Sequence, residues 1–372
     1  MKKEAAAAFL MASGMSMISI ALPYILLAFK GLLVPGKTLP AQRVVVDLGL
    51  LGTSFMLART FSSWFSYKVK PSLGASLLAV SALGMYLAPN YPTLLAFRVL
   101  QGLGSGTIWP HLESSVIKKG GGARGMTLLN ISSNLGFSLG NLMGGFAIVS
   151  MTSSGVRNPI LISAVLFSTI PFLVPAKTTS GGPRVPSKAM KFIYFSAFLN
   201  GLSLGMRVPI IPTYIIQYIT ASPKAFSTAM AVPGLIVLVF SYFIASKADL
   251  RGTEGKLKMS AQLKALQAFF IAVIGFIRDY YLLVLFLTLN RLTAVTSVSI
   301  SKAAQGEMGA NAKHFGMRQT LFGIGNAVGP IIGSSLYKAF EAMGMGGGWT
   351  FVVAAGISLL SSYSLMLSKR SL

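Results

Sequence analysis

Apolar residues in this chain are grouped into twelve long runs, lying at about 5–29, 44–64, 72–88, 91–116, 125–150, 158–175, 190–220, 224–246, 261–278, 280–303, 314–341 and 346–368. A helix that crosses hydrocarbon needs about 20 mainly apolar residues, and most of these runs meet that length. The pattern therefore predicts twelve transmembrane helices. A polar interval, Ala176–Lys188, separates the sixth run from the seventh and contains Thr-Thr-Ser-Gly-Gly-Pro. Several breaks are short, as at Ala88–Tyr91 and Arg278–Asp279, which predicts antiparallel neighbours. The first run follows Lys2 and Lys3 as a signal peptide would, but it is too long and lacks a small-residue cleavage site. It is expected to remain as the first helix.

Composition agrees with lipid as the solvent. Of 372 residues 53% are hydrophobic and 11% charged, and the mean hydropathy is +0.69, whereas a soluble domain carries about a quarter of its residues charged. The net charge of +24 would suggest nucleic acid in a soluble protein; here it resolves into sidedness. With both termini placed in the cytoplasm, the inner segments hold 21 Lys and Arg, counting Lys264 and Arg318 as loop residues, and the outer segments hold seven. Four arginines, at 59, 98, 207 and 291, fall within helices. The positive-inside rule thus predicts cytoplasmic termini and a multi-pass protein of the cell membrane. There is no cysteine, the two histidines, His111 and His314, lie far apart, and only eight residues are Asp or Glu. Disulfides, metal sites and paired-carboxylate catalysis are not expected, and neither is any cofactor. Neither an enzyme nor ATP-driven transport is expected from this sequence.

The two halves resemble each other. Gly136-Phe-Ser-Leu-Gly140-Asn-Leu-Met-Gly144-Gly145 recurs as Gly325-Asn-Ala-Val-Gly329-Pro330-Ile-Ile-Gly333-Ser334, offset by 189 residues. A Gly-Met pair precedes each, Gly125-Met126 and Gly316-Met317, and an intramembrane arginine precedes that, Arg98 and Arg291. The expected organisation is a six-helix bundle over 1–176, a cytoplasmic linker over 177–189 and a second bundle over 190–372. In duplicated carriers the solute binds between the repeats near the midplane.

These motifs, in this order, resemble the major facilitator superfamily over essentially the whole chain. Arg98-Val-Leu-Gln-Gly-Leu-Gly-Ser-Gly106 is similar to that family's fourth-helix signature, continued by Trp109-Pro110, Glu113, Lys118-Lys119 and Ala123-Arg124-Gly125. Gly136–Gly145 resembles its antiporter motif with Asn141 in place of proline, while the second copy keeps Pro330. Ile18-Ser-Ile-Ala-Leu-Pro23 and Pro209-Ile-Ile-Pro212-Thr-Tyr214 are similar to helices one and seven of its multidrug members. Two departures weaken a transfer of proton-coupled drug export. The loop Ser66-Tyr-Lys-Val-Lys-Pro71 has no acid, and Gly14 stands where many exporters carry a carboxylate. The sister loop Lys247–Gly255, with Asp249 and Arg251, keeps more of the family pattern.

Polar residues inside a bilayer are costly, so their angular placement is informative. Asn130, Asn134, Ser138 and Asn141 fall within about 80° on a helix, opposite Gly136, Gly140 and Gly144. The glycines are expected to pack helices, together with Gly325, Gly329, Pro330 and Gly333; the asparagines line a cavity or form interhelical hydrogen bonds. Asn200, Ser203, Arg207, Tyr214 and Tyr218 form a stripe on helix seven, and Arg207 lies too far from either end to reach water. Arg98, Arg207, Arg291, Asn130, Asn134, Asn200, Tyr214 and Trp109 are therefore the candidate cavity residues. Glu113, Asp47, Asp249 and Arg251 are the candidates for coupling or gating. For Glu113 the choices are a proton site or a gate pair with Lys68, Lys70 or Arg318. Asp47 reads more naturally as a solvated helix end, and His111 as a packed interhelical residue.

Arginine binds carboxylate and phosphate bidentately, so the cavity charge suggests a small organic or inorganic anion as substrate. The resemblance implies secondary transport by alternating access with ion, above all proton, coupling. Two alternatives stand beside it: a proton-antiporting exporter of drugs or lipophilic cations, and a non-transporting sensor or scaffold. The partners expected are a small-molecule substrate and the lipid bilayer, with no nucleic acid, for a monomer.

Overall fold

The computed structural model describes residues 2–33, 38–118, 122–174, 188–308 and 312–371. Most of the expected linker lies outside these residues, and so do the side chains of Lys118 and Arg124. Among the described residues there are twelve α-helices: α1 (Lys2–Phe29), α2 (Val45–Phe65), α3 (Pro71–Leu87), α4 (Tyr91–Lys118), α5 (Gly122–Ala147), α6 (Asn158–Thr169), α7 (Lys188–Tyr218), α8 (Pro223–Asp249), α9 (Thr253–Ile274), α10 (Tyr280–Glu307), α11 (Ala312–Ala342) and α12 (Trp349–Arg370). Proline at the first turn starts α3 and lies at the start of α6, where a missing N–H does no harm. Asp279 caps α10 by accepting from the Leu282 amide at 2.8 Å, the preferred chemistry at a helix start.

Helix nine departs from the sequence reading. It begins eight residues earlier than the apolar run, at Thr253 rather than 261. Lys256 and Lys264 had marked that stretch as loop, yet both are buried on one side of α9. Lysines at eight-residue spacing share a helix face, so the charges mark an amphipathic turn. Arg318, expected in an inner loop, also lies buried within α11.

Two compact units form. The first comprises residues 1–180 with 215–235; the second comprises 181–214 with 236–372. In the first unit α1 is the central helix, buried almost continuously from Met11 to Leu27 and packed on α5 and α6, while α4 packs on α2 and α3. Residues 215–235 join this unit rather than the rest of the 190–372 bundle, through the Leu39 amide donating to Ile216 O (3.1 Å) and the Tyr24 hydroxyl donating to Ala221 O (3.2 Å). In the second unit α9 packs on α10 and α12. Serine hydroxyls close the seam between α7 and α12: Ser203 donates to Ala354 O (2.8 Å), Ser364 to Phe192 O (2.7 Å) and Ser368 to Ala189 O (3.0 Å), and Ser196 meets Ser361. Ser260 and Ser297 form the same reciprocal pair between α9 and α10.

The repeated glycines lie at closest approach in each unit. On α5, Gly136 faces Phe9 O, Gly140 faces Ser13 and Ser16, and Gly144 faces Met17, all on α1. On α11, a methyl at Gly329 would lie 2.6 Å from Leu202 O and Met206 N of α7, while Gly325 and Gly333 meet Phe198 O and Met206 O. Here α7 replies with its own glycines: Gly201 and Gly205 abut Phe322, Asn326 and Pro330. Small residues let backbones touch where no hydrophobic effect drives helices together.

Replacing Gly140 or Gly329 with Leu should therefore cost more than the usual 1–3 kcal/mol of overpacking, because backbone rather than a flexible side chain fills the space. Size-exclusion profiles and melting curves in detergent should show loss of the monodisperse folded peak. Gly356→Leu, where nothing lies within 4 Å, should melt like the parent; equal damage at all three positions would contradict the packing role.

Candidate functional site

In the second unit α7, α9, α10 and α11 bring three cationic side chains into one buried polar cluster. Arg207, Lys264 and Arg318 are 4%, 2% and 8% exposed. The Lys264 ammonium donates to Asn200 Oδ1 of α7 and, at 2.8 Å, to Gln267 Oε1 of its own helix. Gln267 Nε2 donates to Asn290 Oδ1 at 3.4 Å, and the same oxygen accepts from Arg207 Nη1 at 3.2 Å. Arg207 Nε donates to Ser203 O at 3.0 Å, one turn back along α7. Arg318 reaches across to α10, donating from Nη2 to Ser301 Oγ (2.6 Å) and from Nη1 to Gln305 Oε1 (3.2 Å). The charges of Arg207 and Arg318 both bear on Lys264.

Every acceptor in this cluster is a neutral amide, hydroxyl or carbonyl oxygen. Among the described residues no carboxylate bonds to Arg207, Lys264 or Arg318. A buried cation without a countercharge costs several kcal/mol unless further hydrogen bonds hold it, and neutral dipoles meet only part of that cost. The arrangement is consequently able to attract an anion, with two guanidinium groups for planar oxyanions and an ammonium as a point charge.

Sequence reasoning reached Arg207 and Asn200 but missed Lys264, Arg318, Gln267 and Asn290. Lys264 and Arg318 were assigned to loops because each follows a basic, polar stretch. Their signal was available in periodicity: Lys264, Gln267 and Ile271 share one buried face of α9. The structure places Tyr214 elsewhere. It is 0% exposed, and its hydroxyl contacts Gly275 O and Ile277 O, both at 2.9 Å. The Arg278 guanidinium lies 5.2 Å from its ring centre. It pins the α9–α10 turn to α7. Arg291 is half-buried on α10, next to Asn290 in sequence.

The first unit holds a smaller cationic site. Arg98 is buried on α4, with Nη1 donating to Gln101 Oε1 and its guanidinium 4.4 Å from the Phe55 ring centre. Its Nε and the Gln101 Nε2 are buried without hydrogen-bond partners. Trp109, one face along from Arg98, is half-buried. Asn130 is exposed, and half-buried Asn134 donates to its carbonyl at 3.0 Å. Asn141, on the same stripe, donates across a long 3.5 Å to Met230 O.

The four coupling or gate candidates are dispersed. Asp47 pairs with Lys30 at 2.6 Å at the outer end of α2, and Tyr91 donates to its carbonyl at 3.2 Å. Glu113 is exposed on α4, and its charge acts on Arg59 of α2. Arg318, one of the partners anticipated for Glu113, donates to Ser301 and Gln305 within the second unit. Arg251 is exposed after α8, and the Asp249 side chain lies outside the described residues. A carboxylate that sequence reasoning passed over, Glu4, is 1% exposed and accepts from Ser115 Oγ at 2.7 Å. His111 bridges α4 to the α2–α3 turn through Ser66 O (2.9 Å) and Val69 O (3.2 Å).

Because the Lys30 and Asp47 side chains are 45% and 24% exposed, their pair is worth no more than about 1 kcal/mol. Asp47→Asn should shift the melting temperature little and leave solute uptake within about twofold of the parent. Loss of uptake with an unchanged melt would place Asp47 in the transport machinery after all.

No family model matches the chain. The quinolone resistance protein NorA of Staphylococcus aureus (strain COL) is 23% identical over 356 residues, covering 87% of this chain and 88% of its own length. A bacterial homolog of the human lysosomal transporter Spinster, solved in an inward-facing and occupied conformation, superposes with a TM-score of 0.76 at 11% identity, covering 100% of this chain and 96% of that one. The D-xylose-proton symporter superposes with a TM-score of 0.73 at 13% identity, over 98% and 95%. These likenesses concern the fold and do not select a solute.

Proposed function

We propose that this chain, a multi-pass membrane transporter of the major facilitator superfamily, carries a small organic or inorganic anion by proton-coupled alternating access. Arg207, Lys264 and Arg318 are the groups that attract it. The observation that carries this reading is the buried cluster of three cations held only by neutral oxygens. A carboxylate or phosphate entering the cluster supplies the charge that the protein leaves out, and a water-poor setting makes that attraction far stronger than at a surface. Differential binding of the anion in the outward-open and inward-open states then drives the exchange. We place the protein in the cell membrane with both termini in the cytoplasm, acting as a monomer.

A second reading, an exporter of drugs or lipophilic cations, draws on the likeness to the quinolone resistance protein and on the glycine motif of α5. It calls for carboxylates in the cavity; Glu113 and Glu4 are the available ones, and both belong to the first unit.

Thermal unfolding of purified protein against carboxylates, phosphate esters, sugars, amino acids and lipophilic cations separates the two. A ligand at 100 times its Kd adds about 2.7 kcal/mol to stability. Anions should raise the melting temperature, and Arg207→Gln should abolish the rise. Stabilisation by lipophilic cations alone would overturn the anion reading.

A further inference from the structure

We propose that Lys264 is the proton-carrying group of this transporter, taking up one proton as an anion binds and giving it back as the anion leaves. The inference rests on the anion reading above and goes further, because it assigns coupling to an amine where such work is ordinarily sought in a carboxylate.

The geometry singles out Lys264 in three ways. It is the most deeply buried of the three cations, at 2% exposed, in the middle of α9 and far from both ends of the helix. Its two acceptors, Asn200 Oδ1 and Gln267 Oε1, are neutral amides, which serve a charged ammonium and a neutral amine alike. Finally, it is the one member of the cluster able to exist without its proton, since a guanidinium stays charged throughout the working range.

The charged, titratable and amide groups around it come from the neighbouring helices. From α7 come Asn200 and Arg207; from α11, Arg318, with His314 one turn before it; from α10, the neutral Asn290 and Gln305. Its partner α12 offers serines, Ser362 donating to Ala261 O at 2.6 Å. The carboxylate that α10 brings to α9 is Glu307, and it is taken by Lys256 and by Thr253 at 2.8 Å. Lys256 is eight residues from Lys264, about 12 Å along the helix. Among the described residues no acid reaches Lys264.

Coupling follows from charge alone. With the cluster empty, three like charges held together would repel one another in a low-dielectric setting. An anion in the cluster reverses that, favouring the ammonium, and by reciprocity the ammonium favours the anion. A proton from the aqueous side the anion enters adds to the amine lone pair at Nζ, with no other bond made or broken. The proton and the anion then leave together to the far side. A monovalent anion moved this way is electroneutral.

The sign of the pH dependence is fixed. Anion affinity is full where Lys264 is protonated without ligand, and it is lost as pH rises through the titration of this group. The test uses inorganic sulfate and benzenesulfonate, whose charges stay constant between about pH 6 and 9, so that any proton taken up belongs to the protein. Purified parent protein should bind one of them with affinity that falls as pH rises within that range. A pH dye in weakly buffered solution should record one proton taken up per anion bound. Lys264→Arg keeps the charge and cannot titrate: it should bind with affinity constant to within about twofold across the range and take up no proton. Lys264→Gln should bind at least about tenfold more weakly at the acid end, and should it fail to fold, Lys264→Arg carries the test alone. A Lys264→Arg protein that keeps the parent pH dependence, or one that folds and binds nothing, overturns the lysine assignment while leaving the anion reading intact. A parent that binds with pH-independent affinity does the same. A folded parent that binds neither probe at any pH overturns both.

Discussion

Hydrocarbon offers no hydrogen bonds, and that constraint organises this protein. A buried N–H, carbonyl or hydroxyl that finds no partner inside the fold is costly there. The α7–α12 seam meets it with serines, whose hydroxyls donate to carbonyls of the facing helix at 2.7–3.0 Å. Elsewhere the same residue type turns back on its own helix, as Ser16 does to Ser13 O at 3.0 Å. The glycine faces of α5 and α11 answer a related need. Without a hydrophobic force between helices, contact area must come from close backbone approach, and a single methyl would remove it. Tyr214 shows the constraint acting on one large side chain: its hydroxyl is fixed between two carbonyls of the α9–α10 turn.

Against that background the cationic cluster of the second unit stands apart. Arg207, Lys264 and Arg318 are hydrogen-bonded, but among the described residues no carboxylate neutralises them. Two guanidinium charges and an ionisable amine, with no carboxylate partner among the described residues, reduce stability in a low-dielectric setting, and a fold that needed only rigidity would use apolar residues of similar volume. The cost is understandable if the missing charge arrives with the substrate. Asn200, Gln267, Asn290 and Gln305 fit such a site, because an amide can hold a cation while the cluster is empty and release it to an anion. A carboxylate in their place would compete with the solute at all times.

The fold was legible in the chain because lipid demands long apolar runs. Eleven of the twelve expected helices begin within four residues of where they are found. The exception, α9, shows where that reading stops. Lys256 and Lys264 look like loop residues by composition, and only their spacing reveals a buried polar face. Arg207 and Asn200 were found because they sit in otherwise apolar helices. Gln267 and Asn290 were not, since an isolated amide carries little signal until its partners from other helices are known. The contacts of Tyr214 with the α9–α10 turn were equally illegible, because a helical stripe records direction, not what lies opposite. The grouping of 215–235 with the first unit arises from contacts with Tyr24 and Leu39, distant in sequence and invisible to periodicity.

Anomalous diffraction from crystals grown with selenate would test the central claim most directly, since the heavy atom marks where an oxyanion binds. The account predicts a selenium peak within about 4 Å of the Arg207 guanidinium and the Lys264 ammonium, in reach of Arg318, and its loss in Arg207→Gln crystals. An empty cluster at saturating selenate, with the three cations still held by their amides, would contradict it.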